Sequence, residues 1–347
     1  MNVICGISFH AVGASSASLC YTPQKKIRSW SWQTYWLAQA AVCWLILPLI
    51  VARITIPHLK EVLIEAPKAA MYKSFLLGAA YGIGGTAFGL AIRYVGFSLT
   101  YAISVGISCV LGTLLPPLVH GELETILNNT GSGWIIFGVA IGALGISICG
   151  FAGRFKERDL ENNKNYTFSF TKGLPLCLLA GVLSAVYGFA LDQGQPIADV
   201  AVKYGSGQFQ DNVIYVFANA GAFLSTLIYC IYLHLKQKTF TEYVKTEENE
   251  SSFSLSLNYV MASITGLLWY GQFFFYGLGH NRMGTYKFSS WAIHMIMLVL
   301  FSSVVGLVFR EWIGVKSKTK WMLAIAITVL ILAVLVLTYG NYLGTVQ

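Results

Sequence analysis

Residues 321–341 decide the fold, because they read WMLAIAITVLILAVLVLTYGN and contain no charged side chain. A helix of about 20 apolar residues crosses the hydrocarbon core of a bilayer, which is roughly 30 Å thick. Stretches of similar length and composition occur throughout the chain, so the sequence predicts ten membrane-spanning helices. The predicted spans are 2–21, 34–56, 72–95, 97–119, 133–152, 173–191, 212–233, 257–279, 289–309 and 321–341.

Composition indicates that the bilayer, and not water, surrounds most of the chain. Apolar residues make up 56% of the 347, charged residues make up 11%, and the mean hydropathy is +0.62. A soluble domain could not bury that much apolar surface in one core. The gaps between predicted spans are at most about two dozen residues long, which leaves no room for an ordinary soluble catalytic domain. We therefore predict an all-α integral membrane protein, with bilayer lipid as its surroundings.

Basic residues collect in alternate gaps between the predicted spans. Sixteen of the 23 Lys and Arg residues lie in the gaps that follow odd-numbered spans. Cytoplasmic loops of membrane proteins carry an excess of Lys and Arg, so these gaps are predicted to be cytoplasmic and both termini to lie outside. Because the net charge of +8 is partitioned by loop, it does not indicate a nucleic-acid partner.

No cofactor, metal site or enzyme active site is predicted. The seven cysteines all fall inside predicted spans without paired spacing, so we interpret them as packing residues. The metalloprotease, serine-hydrolase, phosphate-loop and Cys-x2-Cys motifs are absent. All fifteen acidic residues lie at span ends or in gaps, where they cannot form a mid-membrane carboxylate pair for hydrolysis. An integral-membrane enzyme is therefore the least favoured class, and no obligatory protein partner is indicated.

Three short sequence echoes pair a span with the span five positions later. GASSA at 13–17 resembles GVLSA at 181–185, FGL at 88–90 resembles YGL at 276–278, and SCVLG at 108–112 resembles SSVVG at 302–306. Because five crossings is an odd number, a duplicated half must be inverted in the membrane. The sequence thus predicts two inverted five-helix repeats, 1–152 and 173–347, joined by a cytoplasmic connector at 153–172. Such repeats are common in secondary transporters.

Two histidines at membrane depth are candidate functional residues. His10 lies midway along the first predicted span, and His294 lies a turn or two into the ninth. Ionisable side chains at this depth are costly and often functional, and imidazole changes charge near physiological pH. The alternative is a neutral histidine that hydrogen-bonds a neighbouring helix.

The eighth predicted span contains the densest group of aromatic and polar residues, WYGQFFFYG at 269–277. Gln272 needs partners in hydrocarbon, and its two donors and one acceptor suit vicinal sugar hydroxyls. The rings of Trp269 and Tyr270 offer a pyranose an apolar face and a polar edge. The alternative is an aromatic packing face in which Gln272 bonds another helix.

Seven sequence blocks follow one another along the predicted spans. They are PQKK and WSW at 23–32, GIG with GLAIRYVG at 82–96, GTLLPP at 112–117, AGRFKER at 152–158, WYGQFFFYGLGH at 269–280, SWAIHM at 290–295 and GLVFREW at 306–312. In these blocks the chain resembles the L-rhamnose/proton symporter family of bacteria, within the drug/metabolite transporter superfamily, over essentially its whole length. The resemblance implies ten spans in two inverted halves, import of L-rhamnose with a proton, and a place in the inner membrane. It also implies that His10, Gln272, His280 and His294 match family positions.

Together these expectations describe a proton-coupled sugar importer that works by alternating access. The predicted sugar-binding residues are His10, Tyr81, Trp269, Tyr270 and Gln272, and the predicted proton-coupling residues are His10 and His294. The chain departs from the family pattern at Gln33, where members have Glu, and at Gly85, where they have Asn. A proton-independent facilitator or exporter of another small metabolite is the alternative function.

Overall fold

A computed structural model describes residues 3–160, 169–245 and 252–344. Within these ranges the regular secondary structure is entirely helical, which confirms the all-α prediction. Residues 161–168 of the predicted connector lie outside the described residues. The connector's first residues continue a long helix that ends at Leu160.

The α-helices are α1 (Val3–Leu19), α2 (Trp32–Ala40), α3 (Leu47–Thr55), α4 (Leu59–Glu65), α5 (Lys68–Val95), α6 (Phe97–Val119), α7 (Leu123–Leu127), α8 (Ser132–Leu160), α9 (Phe170–Gln193), α10 (Gln195–Lys203), α11 (Asn212–Gln237), α12 (Ser252–His280), α13 (Ser290–Val308) and α14 (Ser317–Leu343). A π-helical turn, Ala41–Ile46, joins α2 to α3. Short 3-10 helices lie at Pro23–Lys26, Gly207–Phe209, Phe240–Tyr243 and Gly284–Ser289.

Nine helical segments among the described residues are long and apolar enough to cross a membrane. They match the predicted spans one to seven, nine and ten, so the multi-pass assignment is confirmed. Helix α12 contains the predicted eighth span and is 29 residues long. Its Asn258, Gln272 and several Trp and Tyr residues lower its hydropathy, so a tenth crossing stays a prediction.

The chain forms two compact units, each assembled from separate stretches. Unit 1 comprises Met1–Ser18, Gly84–Phe189 and Leu278–Gln347, and unit 2 comprises Leu19–Ile83 and Ala190–Gly277. Each unit takes helices from both predicted repeats. A repeat is defined by duplicated sequence and a unit by packing, so the repeat boundaries remain a prediction.

Small residues let helices approach closely within unit 1. A Cβ atom added at Gly138 of α8 would lie 2.7 Å from Leu337 Cγ of α14. One at Gly145 would lie 2.9 Å from Leu330 Cδ2 of the same helix. Because lipid chains are as apolar as the helices themselves, such close packing is what holds helices together in a membrane.

Helices α6 and α13 pack antiparallel within unit 1 through two reciprocal contacts. Near the start of α13, the indole N–H of Trp291 donates to the Ser108 carbonyl oxygen at 3.0 Å. Near the start of α6, the Tyr101 hydroxyl lies 3.4 Å from the Ser302 hydroxyl. The two serines occupy the same position in the SCVLG and SSVVG echoes.

The end of α8 is tied by charged side chains to other parts of unit 1. Lys156 Nζ lies 2.9 Å from Glu311 Oε2, and Asp159 Oδ2 accepts a hydrogen bond from the Thr319 hydroxyl at 2.7 Å. Thr319 lies in the first turn of α14. These contacts allow α8 to extend beyond the predicted end of its span, because its charged residues have partners there.

In unit 2 the first part of α5 crosses α11 at closely packed small residues. A Cβ atom at Gly78 would lie 2.7 Å from the Ala218 carbonyl carbon. One at Gly221 would lie 2.9 Å from the Phe75 carbonyl carbon. The crossing therefore requires glycine on both helices and holds the segment that carries Tyr81.

Candidate functional site

The predicted site residues divide between the two units, and each unit brings its own group together. Unit 1 contains a pair of histidines, and unit 2 contains an aromatic and amide group. The members are His10 and His294 in unit 1, and Tyr81, Trp269, Tyr270 and Gln272 in unit 2.

In unit 1, His10 of α1 and His294 of α13 are in ring contact. Their ring centroids are 5.9 Å apart, with an angle of 70° between the planes. Their side chains are 0% and 2% exposed. Because imidazole can bind and release a proton near physiological pH, a buried pair of this kind is chemically suited to carry one.

The end of α12 determines where the His10 ring lies. A Cβ atom added at Gly279 would be 2.9 Å from His10 Nε2 and 2.8 Å from the Gly6 carbonyl oxygen. Gly6 lies one turn before His10 in α1, so the two glycines let the helix backbones meet. His280, which the sequence resemblance also singles out, follows directly and is the last residue of α12.

Trp291 holds the first turn of α13, and His294 follows one turn later. The indole N–H donates to Ser108, at 3.0 Å to the carbonyl oxygen and 3.2 Å to the hydroxyl. A Cβ atom at Gly188 would lie 3.3 Å from the indole, and one at Gly112 would overlap it. The tryptophan is thus enclosed between α6 and α9, and this anchors the turn that leads to the histidine.

In unit 2, Trp269 is the centre of an aromatic cluster formed by Tyr21, Trp36, Trp44, Tyr81 and Trp269. The Trp269 ring centroid lies 5.5 Å from that of Trp36, 6.0 Å from that of Trp44 and 5.7 Å from that of Tyr21. The Tyr81 ring lies 5.9 Å from that of Trp44. Two predicted residues, Tyr81 and Trp269, therefore meet through a tryptophan that sequence reasoning did not include.

Tyr270 and Gln272 lie close to Trp269 along α12. Tyr270 is 3% exposed, and its ring centroid lies 6.5 Å from that of Tyr215. The Tyr215 hydroxyl donates to the Phe273 carbonyl oxygen at 2.7 Å, and this bond holds Tyr215 of α11 against α12. Gln272 is buried and, three residues after Trp269, shares its helix face. Its bond to a sugar stays a prediction.

Comparison with known proteins decides the family. The profile of the L-rhamnose-proton symport protein family matches residues 1–342. The chain is 34% identical over 337 residues to the L-rhamnose-proton symporter of Cronobacter sakazakii, covering 96% of this chain and 97% of that one. It is also 34% identical over 340 residues to the L-rhamnose-proton symporter of Yersinia pestis strain Pestoides F, covering 97% and 98%.

The chain belongs to the L-rhamnose-proton symporter family. This membership confirms the resemblance drawn from the sequence blocks. It also confirms that the protein is a multi-pass transporter and not an enzyme.

In this member of the L-rhamnose-proton symporter family, Gln33 has a structural role. Its Nε2 atom donates to Gln237 Oε1 at 3.0 Å and to the Thr239 hydroxyl at 2.9 Å. Gln33 therefore joins the start of α2 to the end of α11.

Sequence reasoning overlooks Trp36 and Trp44 as members of the site in this symporter. Trp36 lies near a predicted bilayer boundary, where Trp residues are generally enriched, and it therefore resembles an interfacial residue. Trp44 is 1% exposed and lies in the middle of the second predicted span. A tryptophan so far from either boundary is the signal that could have identified it.

Proposed function

We propose that this protein imports L-rhamnose, or a closely related deoxy sugar, together with a proton. The observation that carries the proposal is the family match over residues 1–342. The similar proteins from Cronobacter sakazakii and Yersinia pestis are named L-rhamnose-proton symporters. The family match extends over residues 1–342, a range that contains every residue of the candidate site.

The aromatic cluster of unit 2 supports the sugar half of this proposal. A 6-deoxy sugar presents hydroxyl groups at its edge and an apolar methyl group and ring faces. Trp269 and Tyr81 supply apolar ring surface, and Gln272 and the Tyr270 hydroxyl supply hydrogen-bonding groups. This combination suits a neutral sugar better than it suits an ion.

The histidine pair of unit 1 supports the proton half. His10 and His294 are buried and in ring contact. For coupling, protonation must change the relative energies of the loaded and empty states of the carrier. A buried imidazole pair meets that requirement, because adding one charge in a poorly solvated place changes its interactions strongly.

We also propose ten spans in two inverted repeats, 1–152 and 173–347, with a cytoplasmic connector at 153–172 and outward termini in the inner membrane. The chain passes between units after residues 18 and 189, in predicted spans one and six, and after residues 83 and 277, in spans three and eight. This pairing of spans n and n + 5 supports duplication, as do the reciprocal contacts of α6 and α13. It agrees with alternating access in the drug/metabolite transporter superfamily.

The test is uptake of labelled L-rhamnose by proteoliposomes with and without an imposed pH gradient, in competition with L-fucose and L-lyxose. We expect uptake to follow the gradient and to collapse with a protonophore. Uptake that equilibrates regardless of the gradient would identify a facilitator instead.

The histidine assignment is tested with His10→Ala and His294→Ala. Each variant is expected to lose sugar-driven alkalinisation of a weakly buffered medium. His120→Ala is the matched control, because His120 is exposed at the end of α6. Normal alkalinisation by both buried-histidine variants would remove histidine from the coupling mechanism.

A further inference from the structure

Several buried polar atoms of unit 2 have no hydrogen-bond partner within the part of the chain that the structure describes. They are Trp36 Nε1, Trp44 Nε1, the Tyr270 hydroxyl and both amide atoms of Gln39. Each of these side chains is at most 9% exposed. Burying a polar group in an apolar environment without a hydrogen bond destabilises the folded protein, so natural proteins rarely keep such a group without a function. Such a concentration indicates a place where a polar ligand binds.

These groups lie close together. The rings of Trp36, Trp44 and Trp269 contact one another pairwise, with centroids 5.5 to 6.4 Å apart. Gln39 lies three residues after Trp36 and so shares its face of α2. The backbone carbonyl oxygen of Gln39 would be 2.9 Å from a Cβ atom added at Gly266, which lies one turn before Tyr270 in α12. Gln39 therefore lies where α2 and α12 approach each other closely.

The backbone beside Gln39 is irregular. Residues Ala41–Ile46 form a π-helical turn that contains Trp44. Pro48 has no N–H, so it cannot give the Trp44 carbonyl its usual helical hydrogen bond. Turns of this kind are rare within helices and are frequent at functional sites. The irregularity thus provides a second sign, independent of the buried polar atoms, that this part of α2 has a functional role.

We propose that Gln39 binds the transported sugar and helps to determine which sugar is accepted. This inference rests on the proposed function, which it extends to a residue outside the predicted site. The indole N–H groups of Trp36, Trp44 and Trp269 can only donate, whereas the Gln39 amide both donates and accepts. The amide can therefore bond two vicinal hydroxyls in one orientation. None of these side chains is charged, which favours a neutral sugar over an acidic or amino sugar.

Gln39→Leu tests the proposal in the full-length protein, because leucine removes both amide atoms and keeps a similar volume. We expect the half-saturation concentration for L-rhamnose to rise about tenfold, as the loss of neutral hydrogen bonds predicts. We expect the sugar-free protein to remain as stable to heat or to become more stable, because an unbonded buried amide is removed. Gln39→Ala provides a second variant with the same expected loss of affinity.

Monodeoxy analogues of L-rhamnose give the sharper measurement. For the wild type, removing a hydroxyl that Gln39 bonds raises the half-saturation concentration. For Gln39→Leu, removing that same hydroxyl does not raise the half-saturation concentration further, whereas removing any other hydroxyl has the same effect as in the wild type. A purely structural role of Gln39 would leave the pattern among the analogues unchanged.

Gln33→Leu is the matched control on the same helix, since Gln33 is buried but bonds Gln237 and Thr239. It is expected to lower thermal stability and to keep the wild-type pattern among the analogues. An unchanged half-saturation concentration and analogue pattern in Gln39→Leu overturns the inference.

Titration of intrinsic tryptophan fluorescence with neutral sugars separates this inference from the proposed function, because it needs no transport. If the wild type binds another neutral sugar and not L-rhamnose, the substrate proposal fails. In that case Gln39→Leu must weaken binding of that other sugar for the inference to hold. A wild type that responds to no neutral sugar overturns both.

Discussion

Replacing Gly279 by alanine tests whether the position of His10 controls proton coupling. The added Cβ atom would lie 2.9 Å from His10 Nε2 and 2.8 Å from the Gly6 carbonyl oxygen. Non-bonded carbon contacts are most favourable at about 3.5 Å or more, so the imidazole and the α1 backbone must move by roughly 0.5 Å. The change is small but falls directly on the proposed proton-carrying residue.

Two opposing effects determine the stability of Gly279→Ala. Overpacking a closely packed site costs about 1–3 kcal/mol, and alanine is favoured over glycine inside a helix by about 1 kcal/mol. The net destabilisation is therefore about 0–2 kcal/mol, which leaves the protein folded. The rate of proton-driven uptake should change more than the stability does and should fall by about tenfold, because small displacements of a reacting group reduce rates steeply.

The assay compares proton-driven uptake with sugar counterflow in proteoliposomes, since counterflow needs no net movement of protons. We expect Gly279→Ala to lose proton-driven uptake and to keep most of its counterflow. Gly133→Ala in α8 is the control, because a Cβ atom there meets nothing within 4 Å. Wild-type proton-driven uptake by Gly279→Ala would refute the reasoning. Equal losses of uptake and counterflow would also refute it, since they would indicate a general packing defect.

Two further predictions concern stability and are read from thermal unfolding in detergent. Trp291→Phe removes the N–H that bonds the Ser108 carbonyl oxygen and should destabilise by about 0.5–1.5 kcal/mol, because one buried hydrogen bond between α13 and α6 is lost; an unchanged midpoint would contradict this. Glu242→Ala removes a carboxylate that accepts from the Ser31 N–H at 2.8 Å and from the Thr34 hydroxyl at 2.5 Å at the start of α2. This variant should be less stable by about 1.5–3 kcal/mol. Glu242→Gln should lose less stability, because its side-chain oxygen can still accept a hydrogen bond. Equal losses of stability in the two variants would show that the negative charge, and not the hydrogen bonds, matters at this helix start.

The amino-acid sequence by itself determined the membrane location and the helices. Hydropathy is a local property, and backbone groups in hydrocarbon must be bonded within their own helix. The predicted span 321–341 accordingly lies within α14, Ser317–Leu343. Helix ends were harder to predict, because α8 continues to Leu160 through charged residues whose partners lie far away in sequence.

The candidate residues show the same division. The histidines and the Trp269 region could be chosen from the sequence because polar and aromatic side chains at membrane depth are unusual. Only the tertiary structure brought His10 against His294 and buried Trp36 and Trp44 beside Trp269. Those contacts join helices from distant parts of the chain, and residue periodicity along one helix carries no information about which other helix will pack against it.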